Sequence, residues 1–140
     1  FRDFFLNMTE LFQMPKKEQY TNLIGLWGEL KFMVILYEKY GICLANNWHK
    51  YSSNDTYDFT FENYFNCEIK TTSTESNTFK IKHNQIFNRY KNFVMVFAIV
   101  KNSSGEKIDD LIYKLNEIES YKNNLDFQIK YVKFRICEIL

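Results

Sequence analysis

Two acidic residues and a lysine are spaced so that they could serve a metal-dependent hydrolysis. Asp58 lies in one alternating stretch, and Glu68 and Lys70 lie two residues apart in the next. Because strand side chains alternate between the two faces of a sheet, Glu68 and Lys70 share a face. A hairpin with a three-residue loop at residues 62–64 would place Asp58 directly across from Glu68. Opposed carboxylates repel each other, whereas a bound Mg²⁺ or Mn²⁺ makes them ligands.

Lys70 adds the cation that such chemistry needs. Hydrolysis of a phosphodiester uses a metal-activated water and positive charge around a crowded, negatively charged phosphorus centre. The plainer alternative is that Glu68 and Lys70 form an ordinary exposed ion pair, which contributes at most about 1 kcal/mol.

A third acid, Glu29, lies on an apolar stripe of a predicted helix. Its neighbours three and four positions away are small or apolar: Gly25, Leu26, Phe32 and Met33. An acid in such a stripe is costly unless it is paired or bound to a metal. The glycines at 25 and 28 would let this helix approach a sheet closely. On the alternative interpretation, Glu29 simply reaches the edge of the helix.

The elements that must position these residues follow an α/β order. The patterns predict helices over residues 1–14 and 16–40, strands over 58–61, 65–71 and 79–82, a helix over 84–91, a buried central strand over 93–100, a helix over 109–121 and a strand over 127–136. We therefore expect a mixed β-sheet flanked by helices.

Composition limits the remaining choices. The 140 residues suit one domain spanning residues 1–140, and a chain that begins at Phe1 is expected to be a fragment of a longer protein. The net charge of +1 gives no general attraction to nucleic acid or acidic membranes. The longest apolar run, residues 93–100, is too short to cross a bilayer. Without a signal peptide, and with three widely spaced cysteines, the chain is expected to be a reduced cytoplasmic protein that binds no membrane.

Three motifs together resemble the PD-(D/E)XK nuclease superfamily: GLWGEL at Gly25 to Leu30, YDF at Tyr57 to Phe59, and EIKTT at Glu68 to Thr72. They are similar to a branch of uncharacterised members found with restriction-modification and phage-defence genes. The resemblance covers residues 23–86, about half of the chain. Tyr57 stands where the superfamily's name has a proline.

The resemblance implies a restriction endonuclease-like fold and hydrolysis of phosphodiester bonds with Mg²⁺ or Mn²⁺. The expected reaction is endonucleolytic, on double-stranded DNA, in restriction or phage defence. Asp58, Glu68 and the backbone carbonyl of Ile69 would bind the metal. Lys70 would position the attacking water, and Glu29 would complete the acidic cluster directly or through water.

A polar residue on the following helix is sometimes added in this superfamily, and Gln85 is the candidate here, although a helix-start role is the plainer interpretation. Gln85 and Tyr90 are five positions apart, which does not fit the QxxxY spacing of the exonuclease branch. Trp48 precedes Asp58 and is expected to cover the sheet edge, with stacking on a base as the alternative.

A locally basic stretch is the candidate nucleic-acid surface, although a solvated helix face would look the same. Its residues are Lys80, Lys82, His83, Arg89 and Lys91.

Homodimerisation and partner subunits of a defence system are both compatible with the resemblance. Three other functions stay open: a catalytically silent binding module of the same fold, a nuclease acting on RNA or on single-stranded or branched DNA, and an accessory subunit that cuts only with a partner.

Overall fold

The computed structural model describes residues 16–48, 57–61, 65–72, 80–82, 91–98 and 104–129. These form helix α1 (Lys16–Tyr40), strands β1 (Phe59–Phe61), β2 (Phe65–Thr72) and β3 (Lys91–Ala98), and helices α2 (Ile108–Asn116) and α3 (Glu119–Lys122), with a further helical segment at residues 125–129. The protein is therefore a mixed α/β structure, as its sequence predicts.

The described sheet has three strands in the order β1-β2-β3. β1 runs antiparallel to β2, and β3 runs parallel to it. β2 lies between β1 and β3, and its middle residues are buried on both faces, apolar Cys67 and Ile69 alternating with polar Asn66 and Glu68. The mixed pairing agrees with the predicted mixed sheet.

Helix α1 forms over the residues that the sequence predicts. A stripe at helical spacing (Leu26, Leu30, Met33 and Val34) is buried. The helix ends at Gly41, which adopts φ 66° and whose amide donates to the carbonyl of Tyr37 at 2.8 Å. Glycine suits this position because other L-residues pay about 1–2 kcal/mol for a left-handed backbone.

Gly28 brings α1 close to β2. A Cβ at this position would overlap Thr71 Oγ1 and would lie 3.2 Å from Ile69 Cγ2. Helix α1 therefore packs on the face of β2 that carries Ile69 and Thr71. On the same face, the rings of Phe32 and Phe59 meet edge-on with centroids 5.2 Å apart.

Helix α2 packs against α1, and α3 packs against α2. Leu111, Ile112 and Leu115 are buried on one side of α2. Just before α2, Glu106 accepts hydrogen bonds from Lys31 at 2.7 Å and from Lys114 at 3.0 Å. None of the described helices is both long and apolar enough to cross a bilayer.

Several predicted elements differ from the structure. The sequence predicts that β3 is buried on both faces, but in the described sheet it is an edge strand, and Phe93, Val94 and Met95 are 54%, 38% and 40% exposed. The predicted strand at 127–136 is wrong at residues 127–129, which are helical, because the buried Phe127 packs on Tyr121 as part of a helical turn.

Other predicted helices and strands differ from the structure or lie outside the described residues. Residues 80–82 form no strand, and the predicted helix over 109–121 is interrupted between Asn116 and Glu119. The predicted helix over residues 84–91 is wrong at Lys91, which begins β3, and its residues 84–90 lie outside the described residues, as does the predicted helix over 1–14.

Candidate active site

The register of β1 and β2 decides which side chains face each other. Phe59 pairs with Cys67, and Thr60 pairs with Asn66. Continued by one residue, this antiparallel register places Asp58 opposite Glu68. The register predicted from a three-residue connection at residues 62–64 is thus confirmed.

Asp58 is fixed to β2 by a hydrogen bond. Its Oδ2 atom accepts the backbone amide of Ile69 at 2.7 Å. Backbone amides in a strand point alternately to its two neighbouring strands. The amide of Ile69, which lies two residues beyond Cys67, therefore points towards the β1 edge. There β1 begins only at Phe59, so the carboxylate supplies an acceptor where the backbone ladder ends. Asp58 is therefore held beside the Glu68–Lys70 segment.

Glu68 is a buried acid with a close cationic partner. Lys70 Nζ lies 2.5 Å from Glu68 Oε1, and the two side chains are 23% and 8% exposed. This is not the exposed pair of the plainer alternative, because a buried carboxylate is costly to desolvate and depends strongly on its partner. The pair confirms that Glu68 and Lys70 share one face of β2.

The pKa of the neighbouring Cys67 thiol responds to the negative charge of the site. Burial, followed by the charges of Asp58 and then Glu68, raises the pKa of Cys67 from 9.0 to about 12. Both carboxylates therefore lie close enough to act on the same group. Two acids with one ammonium leave an excess of one negative charge around Asp58, Glu68 and Lys70.

Glu29 approaches the strands through Trp48 and not from the Glu68 face. Its Oε2 atom accepts a hydrogen bond from the indole N–H of Trp48. Helix α1 covers the Ile69 and Thr71 face of β2, whereas Glu68 alternates to the opposite face. Among the described residues, no group of three or more His, Cys, Asp or Glu side chains is arranged to hold a metal ion. Glu29 is therefore partnered by Trp48, and its membership of the acidic cluster expected from the sequence stays a prediction.

The donors that remain fit a magnesium ion in their chemistry. Mg²⁺ prefers oxygen ligands, is often held by only one or two carboxylates, and keeps several waters. Asp58 and Glu68 supply two opposed carboxylates, whose mutual repulsion a cation would offset. The carbonyl of Ile69, the residue that follows Glu68, is the third candidate donor.

Only part of the predicted basic surface is described. Lys80 and Lys82 are exposed, and Lys91 begins β3. His83, Arg89 and the candidate catalytic Gln85 lie outside the described residues.

Trp48 has a predicted role and also makes a contact with Glu29 that the sequence did not reveal. It is 8% exposed and forms an isolated antiparallel bridge with Phe59, which agrees with the predicted edge-covering role. The contact with Glu29 could have been sought, because a buried indole N–H needs an acceptor. Nothing in the sequence indicates which acceptor it finds.

Comparisons of the chain with protein-family models, with curated proteins and with solved structures returned no match.

Proposed function

We propose that the protein is a metal-dependent nuclease of the PD-(D/E)XK type that hydrolyses phosphodiester bonds. The observation that carries this proposal is the strand register that sets Asp58 opposite Glu68, with the ammonium of Lys70 bound to the buried Glu68. A mixed sheet with a helix packed on one face is compatible with a restriction endonuclease-like fold, which belongs to the same proposal.

Each residue has a separate role in this proposal. Asp58 and Glu68 hold Mg²⁺ or Mn²⁺, with the carbonyl of Ile69 as a further ligand. Such an ion, when bound, polarises the phosphate and lowers the pKa of a water. Lys70 provides a fixed positive charge beside the carboxylates, where it orients the attacking water and stabilises the charge that develops on phosphate oxygens.

The proposed substrate is double-stranded DNA, cut internally, in restriction or phage defence. The exposed Lys80 and Lys82 follow β2 in the chain and are candidates for phosphate contacts. The proposed protein partners are a second copy of the chain, for cutting both strands, or subunits of a defence complex.

The deciding experiment is plasmid cleavage in Mg²⁺ or Mn²⁺ with wild type and with Lys70→Ala. We expect the wild type to nick or linearise the plasmid and the variant to lose at least about a hundredfold in rate, since a general acid–base or charge-stabilising group contributes about 10²–10⁴-fold.

The matched control is Lys31→Ala, which also removes a lysine from an ion pair, in this case with Glu106. It should cleave at the wild-type rate. Cleavage by Lys70→Ala at the same rate as wild type would reject the site.

A catalytically silent module of the same fold is the second candidate. The observation that favours it is that no three acidic, histidine or cysteine side chains of the described residues are grouped around a metal position. A Mn²⁺ titration separates the two functions: the nuclease binds Mn²⁺ in a way that Asp58→Ala abolishes, whereas the silent module shows no binding that depends on Asp58.

A further inference from the structure

Trp48 contacts both the helix and the strand that carry candidate site acids. Its side chain reaches α1, where the indole N–H donates to Glu29. Its backbone lies beside β1, where it forms a bridge with Phe59, the residue that follows Asp58. The two acids come from different elements, and Trp48 contacts Glu29 on one and the neighbour of Asp58 on the other.

The side chain of Trp48 is held by packing and by a hydrogen bond. Trp48 is 8% exposed, and its ring packs against Phe127 with centroids 5.8 Å apart. An indole is a donor only, and a hydrogen bond to a carboxylate is stronger than one between neutral groups. The orientation of the Glu29 carboxylate is therefore set by a ring that is itself held by packing.

The backbone of residues 47–48 holds the beginning of β1. The amide of Thr60 donates to the carbonyl of Asn47 at 3.0 Å, and the side-chain amide of Asn47 donates to the carbonyl of Thr60 at 3.2 Å. Together with the bridge between Trp48 and Phe59, these bonds fix residues 47–48 along β1 one position from Asp58.

We propose that Trp48 is a positioning residue: its ring, held by the bond to Glu29 and by packing on Phe127, fixes the backbone of residue 48 against Phe59 and so holds the adjacent Asp58 in place for cation binding. This inference rests on the proposed metal-binding function. Residues that orient metal ligands through hydrogen bonds typically change metal affinity by about 10–100-fold when they are replaced.

The test is a Mg²⁺ titration followed by nuclear magnetic resonance. The backbone amide of Ile69 is a direct reporter, because it donates to Asp58 Oδ2 and its resonance moves when that carboxylate gains a cation. We expect the dissociation constant measured from Ile69 to rise at least about tenfold in Trp48→Phe, which keeps an aromatic ring and removes the donor.

The matched control is Trp27→Phe. Trp27 is the other tryptophan of the chain, and its indole N–H donates to the backbone carbonyl of Glu106 at 2.9 Å, away from both acids. This variant loses a comparable hydrogen bond and should bind Mg²⁺ with the wild-type dissociation constant.

A readout on the wild-type protein keeps the test valid even if Trp48→Phe fails to fold. On addition of Mg²⁺, the indole N–H resonance of Trp48 should shift together with that of the Ile69 amide, while the indole resonance of Trp27 stays in place. A purely structural role for Trp48 predicts no such shift.

The outcomes separate the two proposals. No Mg²⁺-dependent shift of Ile69 in the wild-type protein would reject the metal site and, with it, the proposed function. Wild-type binding with an unchanged dissociation constant in Trp48→Phe, or with a Trp48 indole resonance that ignores Mg²⁺, would reject the positioning role alone.

Discussion

At the scale of single residues, the candidate site is defined by how each acid is partnered. Asp58 binds the amide of Ile69, Glu68 binds the ammonium of Lys70, and Glu29 binds the indole of Trp48. Each carboxylate is thus oriented by a donor from a neighbouring element or residue. Preorganised groups of this kind are what catalysis and metal binding require, because their orientation costs nothing further when the ligand arrives.

Cys67 gives a prediction about alkaline pH. Burial and the charges of Asp58 and Glu68 raise the pKa of its thiol from 9.0 to about 12 in the folded protein. Between these values the folded state retains a proton that the unfolded state has lost, so the free energy of unfolding falls as the pH rises above 9.0. Urea denaturation should show this contribution as a loss of about 1 kcal/mol between pH 8 and pH 10.

The variant Cys67→Ala isolates the thiol's contribution. It lacks the ionisable group, so its loss of stability over the same pH interval should be smaller by that amount. Parallel pH dependences in wild type and Cys67→Ala would contradict the assignment. Tyr121, whose pKa is also raised by burial, is present in both proteins and cancels in the comparison.

At the scale of elements, the site depends on how closely α1 approaches β2. The approach occurs at Gly28, where Thr71 Oγ1 and Ile69 Cγ2 occupy the space of a Cβ. Since Glu29 is the next residue in the helix, this contact also sets how far Glu29 lies from the strands. At Gly25, by contrast, a Cβ would meet no atom within 4 Å, so that position carries no such constraint.

Gly28→Ala should be strongly destabilising. The added methyl group overlaps Thr71 Oγ1, and forcing extra atoms into a packed contact costs about 1–3 kcal/mol or more. Thermal or urea unfolding measures this loss. The second-site change Thr71→Ala should restore part of it, because it removes the overlapping oxygen.

Gly25→Ala is the matched control for the close approach. Nothing in the structure opposes its methyl group, and alanine is favoured over glycine within a helix by about 1 kcal/mol. This variant should therefore be more stable than wild type. Equal destabilisation by both substitutions would mean that packing against β2 does not explain the glycine at position 28.

The sequence could predict elements with strong local signals. Helix α1 combines a long apolar stripe with a terminal Gly41, and the connection between β1 and β2 has a length that specifies the register of Asp58 and Glu68. The apolar run that contains Phe93 instead suggested a strand buried on both faces, because hydrophobicity alone does not reveal how many neighbours a strand has. The contact of Trp48 with Glu29 depends on tertiary packing across nineteen positions, for which no local pattern exists.

At the scale of the whole molecule, Glu106 connects helix α1 to helix α2. It accepts hydrogen bonds from Lys31 on α1 and from Lys114 on α2, and its backbone carbonyl accepts the indole N–H of Trp27. Burial alone would raise the pKa of this carboxyl group, but the hydrogen bonds and charges of Lys31 and Lys114 hold it below 4.5. The folded state therefore favours the ionised form.

Glu106→Gln should lower stability in a pH-dependent manner. A carboxyl group with a lowered pKa stabilises the folded state above its unfolded pKa, and this stabilisation disappears as the pH falls through the folded pKa. The difference in urea midpoint between wild type and Glu106→Gln should thus be largest near pH 7 and should shrink towards about pH 3.

The exposed Glu117 supplies the control. Glu117→Gln removes an acid without removing the link between α1 and α2, so its difference from wild type should change little over the same pH range. If the difference for Glu106→Gln stayed constant down to acidic pH, ionisation of Glu106 would not be the cause of the stabilisation.

The pairing of Phe59 with Cys67 makes the spacing along the chain a constraint on evolution. Nine residues separate Asp58 from Glu68, and a strand reverses the direction of its side chains at every step. Loss or gain of one residue inside β2 before position 68 would turn the second acid towards α1 while leaving the composition almost unchanged. Homologous chains that keep this chemistry should therefore conserve the count between the two acids more strictly than the identity of the amino acids in between.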